Sequence, residues 1–187
     1  MDKNQYIANQ TTFFDYLVKK KRSEIVRLIK GEIHYSKLKI KSILDIGSSS
    51  DGRSNFSNYI VKNLNLSSNI KSITDRKIKS KLFKKTLIKS ITKKPTKLEL
   101  KNFIADLTIS SATIEHVGSL NNQKKMIKNI GLLTNKIFVI TTPYRFFPIE
   151  VHTKVPFIHF FPKKYFRLML KLFNLDFFSK EENLNLL

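Results

Sequence analysis

SILDIGSSSDGRSNF, residues Ser42 to Phe56, reads as a strand, a tight turn and the approach to a helix. Ser42–Ile46 is a short apolar run with one acid, Asp45, near its end. Gly47, three serines, Asp51 and Gly52 follow. Asn55–Leu64 then places Phe56, Tyr59, Ile60 and Leu64 on one helical face. Strand–turn–helix is the repeating piece of a doubly wound sheet, and its turn usually serves a ligand. A dinucleotide turn needs G-x-G-x-x-G, so that the backbone can approach a pyrophosphate. Here only Gly47 and Gly52 are present, and Ser49 stands where a middle glycine belongs. A phosphate loop ending in Gly-Lys-Ser/Thr is absent. What is left is a looser D-x-G-x-x-x-x-G turn.

The same alternation continues along the chain. Ile70–Thr74, Thr86–Thr92, Leu107–Ser111 and Lys136–Thr141 read as strands, the last being the most apolar and β-branched. Residues 11–30 read as one long helix or two short ones, with Gly31 as the stop. Asn121–Leu133 reads as a helix. Residues 144–162 read as a long aromatic loop, and 163–173 as an amphipathic helix. Short apolar strands alternating with helices predict an α/β fold, a mostly parallel sheet covered on both faces. The ligand of such a sheet sits beyond the carboxyl ends of the strands. One domain is expected: an N-terminal helical segment over 1–41, a core over 42–142, and a loop with an amphipathic helix over 143–187.

Composition narrows the partners. The 187 residues carry a net charge of +21 and no cysteine. Disulfides, thiolate metal sites and a cysteine nucleophile are excluded, and a cytoplasmic setting is expected. No run is long and apolar enough to span a bilayer. The charge admits nucleic acid or an anionic membrane. Lysine greatly outnumbers arginine, however, and is scattered, so background composition accounts for it better. In 163–173, Lys163, Lys164, Arg167 and Lys171 gather opposite Phe166, Leu170 and Phe173. A helix of that kind packs on a sheet with a solvated back, or lies on a membrane surface.

Two further blocks carry a resemblance. LELKNFIADLTISSATIEHVGSL, residues 98–120, contains Asp106, Ser110, Ser111 and the run Ile114-Glu115-His116-Val117. ITTPYRFFPIEVHTKVPFIHFFPK, residues 140–163, follows at matching spacing. With the Asp45–Gly52 turn, they resemble class I S-adenosyl-L-methionine-dependent methyltransferases, in a branch with IEHV and TPxRxFPIExHT motifs. The resemblance implies a Rossmann-like doubly wound sheet that transfers a methyl group to a small-molecule acceptor, with a hydroxyl oxygen expected.

By the same resemblance, Asp45, Gly47, Ser48, Ser49 and Gly52 cradle the methionine half of the cofactor. Asp75 holds the ribose hydroxyls, and Ser110, Ser111 and Ala112 line the cofactor after the fourth strand. Glu115 and His116 face the substrate, with His116 as the candidate base because imidazole titrates near neutrality. Tyr144, Arg145 and His152 form a substrate wall, which Glu150 and His159 adjoin. Arg145 is expected to hold an anionic group or to pair with Glu150. No divalent-metal ligand set is legible, and no metal is expected. The stretch ITKKPT, residues 91–96, departs from the family by placing lysines where an acid contacts adenine.

The family continues past a segment similar to NLNLL with a further helix and two strands. A chain ending there lacks the terminal β-hairpin, and an exposed edge and homodimerisation are expected. Two other functions compete. One is an RNA methyltransferase or RNA-binding protein, suggested by the charge. The other is a non-catalytic truncated fold, suggested by the missing acid and hairpin.

Overall fold

In a computed structural model, residues 12–52, 56–67, 69–147, 149–150, 152–153 and 155–186 are described. Five strands form one sheet: β1 (Ile43–Ile46), β2 (Ile70–Thr74), β3 (Lys85–Ile88), β4 (Ala105–Ser111) and β5 (Thr134–Thr141). Their order is β3-β2-β1-β4-β5, and every pairing is parallel. This is the doubly wound, Rossmann-like arrangement expected. The chain winds one way through β2 and β3, then returns to place β4 on the other side of β1.

Alternation along the strands sorts the core into two layers, because successive side chains point to opposite faces. Ile43, Ile70, Leu107 and Ile109 pack with Val26, Ile29 and Ile33 of α1 (Thr12–Tyr35) and with Ile60, Val61 and Leu64 of α2 (Tyr59–Leu64). Leu44, Ile46 and Ile73 face the other way. They meet Phe103 of α3 (Lys97–Phe103) and Met126 and Ile130 of α4 (Leu120–Leu132). A third cluster lies apart, where α5 (Lys163–Leu172) buries Phe166 and Leu170 against Ile158, Phe178, Leu184 and Leu186. α6 (Asp176–Ser179) carries Phe178.

Several boundaries differ from the sequence expectation. Gly31 does not stop α1. The helix runs on because Ile33 is still a core residue, and it ends at Tyr35, just before Lys37, whose φ of 51° turns the chain. α2 is shorter than expected, since Asn58 takes a left-handed conformation and its side chain bonds the Ser49 backbone in both directions. Residues 53–55 of the expected helix lie outside the described residues. β3 ends at Ile88 rather than Thr92. α3 was not foreseen, although its signal was present: Thr96 and Glu99 form a reciprocal capping box.

Candidate functional site

The return of the chain between β1 and β4 opens the crevice where such sheets bind ligands. Asp45 and Gly47 close β1, and Ser110, Ser111 and Ala112 close β4 beside it. Asp75 follows β2 on the other flank. The fold therefore brings the expected cofactor residues to the carboxyl ends of three adjacent strands. Gly52 lies farther along the turn and is exposed.

The turn is held from within. Gly47 has φ +84° and donates its N–H to the Ile73 carbonyl. A Cβ at Gly47 would come within 2.2 Å of Thr113 Oγ1, so the turn packs directly on the loop after β4. Ser48 is buried, and its hydroxyl donates to Asp45 Oδ2 at 2.5 Å while accepting from Ser72 Oγ at 2.8 Å. Its side chain is spent on positioning Asp45. Burial pushes the Asp45 carboxyl up to about 7, against a smaller opposing effect of the Ser48 hydrogen bond. Asp75 is exposed and ion-paired to Arg76 at 2.9 Å. After β3, Lys89 pairs with Glu99 of α3 at 2.5 Å.

A second group gathers around η1 (Ile114–His116), the short 3-10 turn after β4. Ala112 enters it with φ +50°, a strained conformation for a residue with a Cβ. Glu115 is fully buried. Its Oε2 accepts from Thr142 Oγ1 at 3.2 Å, while its Oε1 has no hydrogen-bond partner. Burial raises its carboxyl above the ordinary range. His116 Nδ1 lies 2.6 Å from the Asn183 carbonyl, which can only accept, so Nδ1 carries the proton. Burial, then the neighbouring His152, pushes His116 down to about 4.

His152, expected on a wall with Tyr144 and Arg145, joins this group. Its ring packs edge-on against His116, with centroids 4.8 Å apart, and its Nε2 is 3.9 Å from Glu115 Oε1. Its Nδ1 donates to Glu150 Oε1 at 2.8 Å. Burial alone would lower His152, but the bond to Glu150 and the charges of Glu150 and Glu115 outweigh it and raise it. Burial would likewise raise Glu150, yet the bond from His152 and its charge bring that carboxyl down to about 2. Glu150 is thus committed to His152, and the expected Arg145–Glu150 pair does not form. Arg145 Nε instead donates to the His159 carbonyl at 3.4 Å, beside Lys163, Arg167 and Asn185. Tyr144 is exposed against Phe146.

From the sequence no metal is expected. The fold nonetheless brings ligand atoms of Glu115, His116 and His152 within 4.8 Å of one another, a donor set that can hold a divalent cation. The residues that brace this group carry no local sequence signal, apart from one pair. Asn185 donates through its backbone N–H to the Glu115 carbonyl at 2.7 Å and through Nδ2 to the Gly118 carbonyl at 2.7 Å. Gln123 Nε2 donates to the Asn185 carbonyl at 3.0 Å. The segment 183–186 therefore straps η1 in place. Of these braces only Glu150-x-His152 had a local signal, its spacing of two.

No protein-family model and no curated protein matches the sequence. Among solved structures, the chain is similar to the N-methyltransferase NodS from Bradyrhizobium japonicum WM9 in complex with S-adenosyl-L-homocysteine. That similarity has a TM-score of 0.45 and 10% identity, over 72% of this chain and 63% of that chain. It is also similar to a second structure of NodS from the same organism, with a TM-score of 0.42 and 10% identity over 63% of this chain and 62% of that one. The matched region spans less than two thirds of NodS.

Proposed function

We propose that the chain is an S-adenosyl-L-methionine-dependent methyltransferase acting on a hydroxyl oxygen of a small molecule. The observation that carries this reading is the meeting of two groups at one crevice. Asp45 and Gly47 end β1, and Ser110–His116 continue from β4 directly beside them. The residues present suit the cofactor. Asp45 is a buried carboxylate with one side-chain hydroxyl donor, fit to receive an ammonium. Ser110 Oγ is buried without a partner, a hydroxyl still able to bond a ligand. Asp75 can accept two hydrogen bonds from a ribose diol once Arg76 shares it. When bound, S-adenosyl-L-methionine supplies an electrophilic methyl group on a sulfonium.

The base is His152 rather than His116. A base held near 4 has little affinity for a hydroxyl proton, whereas Glu150 fixes the His152 tautomer and strengthens its Nε2. His152 Nε2 takes the proton that the acceptor hydroxyl gives up as its oxygen gains the methyl group. Glu115, buried beside it, holds the imidazolium that results.

Calorimetric titration with S-adenosyl-L-methionine and S-adenosyl-L-homocysteine tests the cofactor. Binding that is lost in Asp75→Ala is expected. No binding by a folded chain would overturn the reading and leave a non-catalytic or RNA-binding fold. For turnover, release of S-adenosyl-L-homocysteine with a panel of hydroxylated acceptors provides the readout. His152→Ala is expected to lower the rate roughly 100-fold or more, and His116→Ala by less than about tenfold. The Glu115–His116–His152 donor set favours a second reading, in which a divalent cation activates the acceptor. A chelator would then abolish turnover, and both histidine variants would lose it equally. Turnover that persists in chelator keeps the base with His152.

A further inference from the structure

More than half of the exposed large apolar side chains among the described residues fall between 144 and 173. Within the aromatic loop, Tyr144, Phe146, Phe157 and Phe160 form a run of exposed rings, with centroids 5.8 to 6.1 Å apart along the run. Phe161 and Pro162 then lead into α5.

α5 has two apolar faces, not one. Phe166 and Leu170 face the third core cluster. Tyr165, Leu168 and Leu172 recur at i, i+3 and i+7 and stand exposed, forming a second stripe that nothing in the chain covers among the described residues. Lys164 and Lys171, both exposed, lie on the adjoining row of the helix. Over 144–173 the basic residues are Arg145, Lys154, Lys163, Lys164, Arg167 and Lys171, and the sole acid, Glu150, is buried with His152.

We propose that this surface, the exposed rings of the loop after β5 together with the outer stripe of α5, docks the protein on an anionic lipid bilayer. Tyrosine, phenylalanine and leucine are the side chains that settle at the headgroup boundary, and lysines beside them answer the negative surface. A run of exposed rings and an uncovered apolar stripe flanked by lysines are features of an interaction site. A bilayer offers apolar depth and continuous negative charge at once. None of the described helices is long and apolar enough to cross a membrane, so the contact is peripheral. The surface lies outside the Asp45–His152 site and does not depend on methyl transfer.

Co-sedimentation of the full chain with vesicles tests it, using phosphatidylcholine alone and phosphatidylcholine mixed with phosphatidylserine, across a salt series. Wild type is expected to bind the mixed vesicles and to retain part of that binding in salt that screens exposed charges. The Leu168→Ser/Leu172→Ser double variant is expected to bind roughly tenfold or more weakly at every salt concentration. Lys164→Glu/Lys171→Glu is expected to lose about as much at low salt. Leu98→Ser, an equally exposed leucine on α3, should leave binding unchanged. Circular dichroism confirms that each variant is folded. Three results would overturn the proposal: no vesicle binding by the folded wild type, equal binding by the leucine double variant, or a leucine variant whose only change is from dimer to monomer.

Discussion

Gly47→Ala is expected to destabilise the protein by roughly 2–5 kcal/mol, read from the shift of its urea unfolding midpoint at constant slope. Two costs combine. A φ of +84° is uphill for any residue with a Cβ. The new methyl would also meet Thr113 at 2.2 Å from Oγ1 and 2.7 Å from Cγ2. Thr113 cannot rotate away cheaply, because its hydroxyl bonds the Ile46 and Ser111 carbonyls. Gly52→Ala is the control. Its φ of +77° carries the same conformational cost, but its Cβ would meet nothing within 4 Å, so about 1 kcal/mol is expected. Equal losses at the two glycines would show that the Thr113 contact yields. Thr113→Ala should recover part of the Gly47→Ala loss, and the double-mutant cycle measures that coupling. Because Thr113 leads into the turn that carries Glu115 and His116, Gly47→Ala should also weaken whatever those residues bind.

Asp45→Asn is expected to stabilise the protein by roughly 2–4 kcal/mol at pH 8 and to change little near pH 4. The Asp45 carboxyl sits at about 7 in the fold against 3.8 in the open chain. Between those values the folded state holds a proton that the unfolded state has released. Wild-type stability therefore falls as pH rises through the window and levels off above about 7, with a full span on the order of 4 kcal/mol. Asparagine is neutral throughout and can still accept the Ser48 hydroxyl, so the variant should lose this slope. Chemical unfolding at several pH values reads it directly. A variant with the wild-type slope would place the titration elsewhere. On the proposed function the same group couples to the cofactor. A cationic ligand favours ionised Asp45, so S-adenosyl-L-methionine should bind more tightly as pH rises through about 7, and Asp45→Asn should remove that dependence as well as much of the affinity.

The inner strands β1, β2 and β4 were legible because each is a short apolar run whose neighbours in sequence already state its burial. Ile43–Ile46, Ile70–Thr74 and the core of β4 fall where the runs fall, and their alternation with helices entails a parallel sheet. The single-residue signals were weaker guides. Gly31 reads as a stop, yet α1 continues because Ile33 still gains from burial. The Thr96-x-x-Glu99 box was there to be read and marks α3.

The site divides along the same line. Asp45, Gly47 and the Glu115–His116 pair follow from their positions after strands, since a parallel sheet presents those positions at one edge. The sequence by itself determined the doubly wound fold and the strand ends at which the candidate site residues lie, because both depend on periodicity within a few residues. Only the tertiary structure decided which side chains meet there. His152 reaches Glu115 across 37 positions, and Asn183 and Asn185 reach His116 and Gly118 across 67. No local pattern encodes such contacts. They arise when the sheet closes, the loop after β5 folds over β4 and the last residues strap η1, and burial then sets which carboxyl and which imidazole hold a proton.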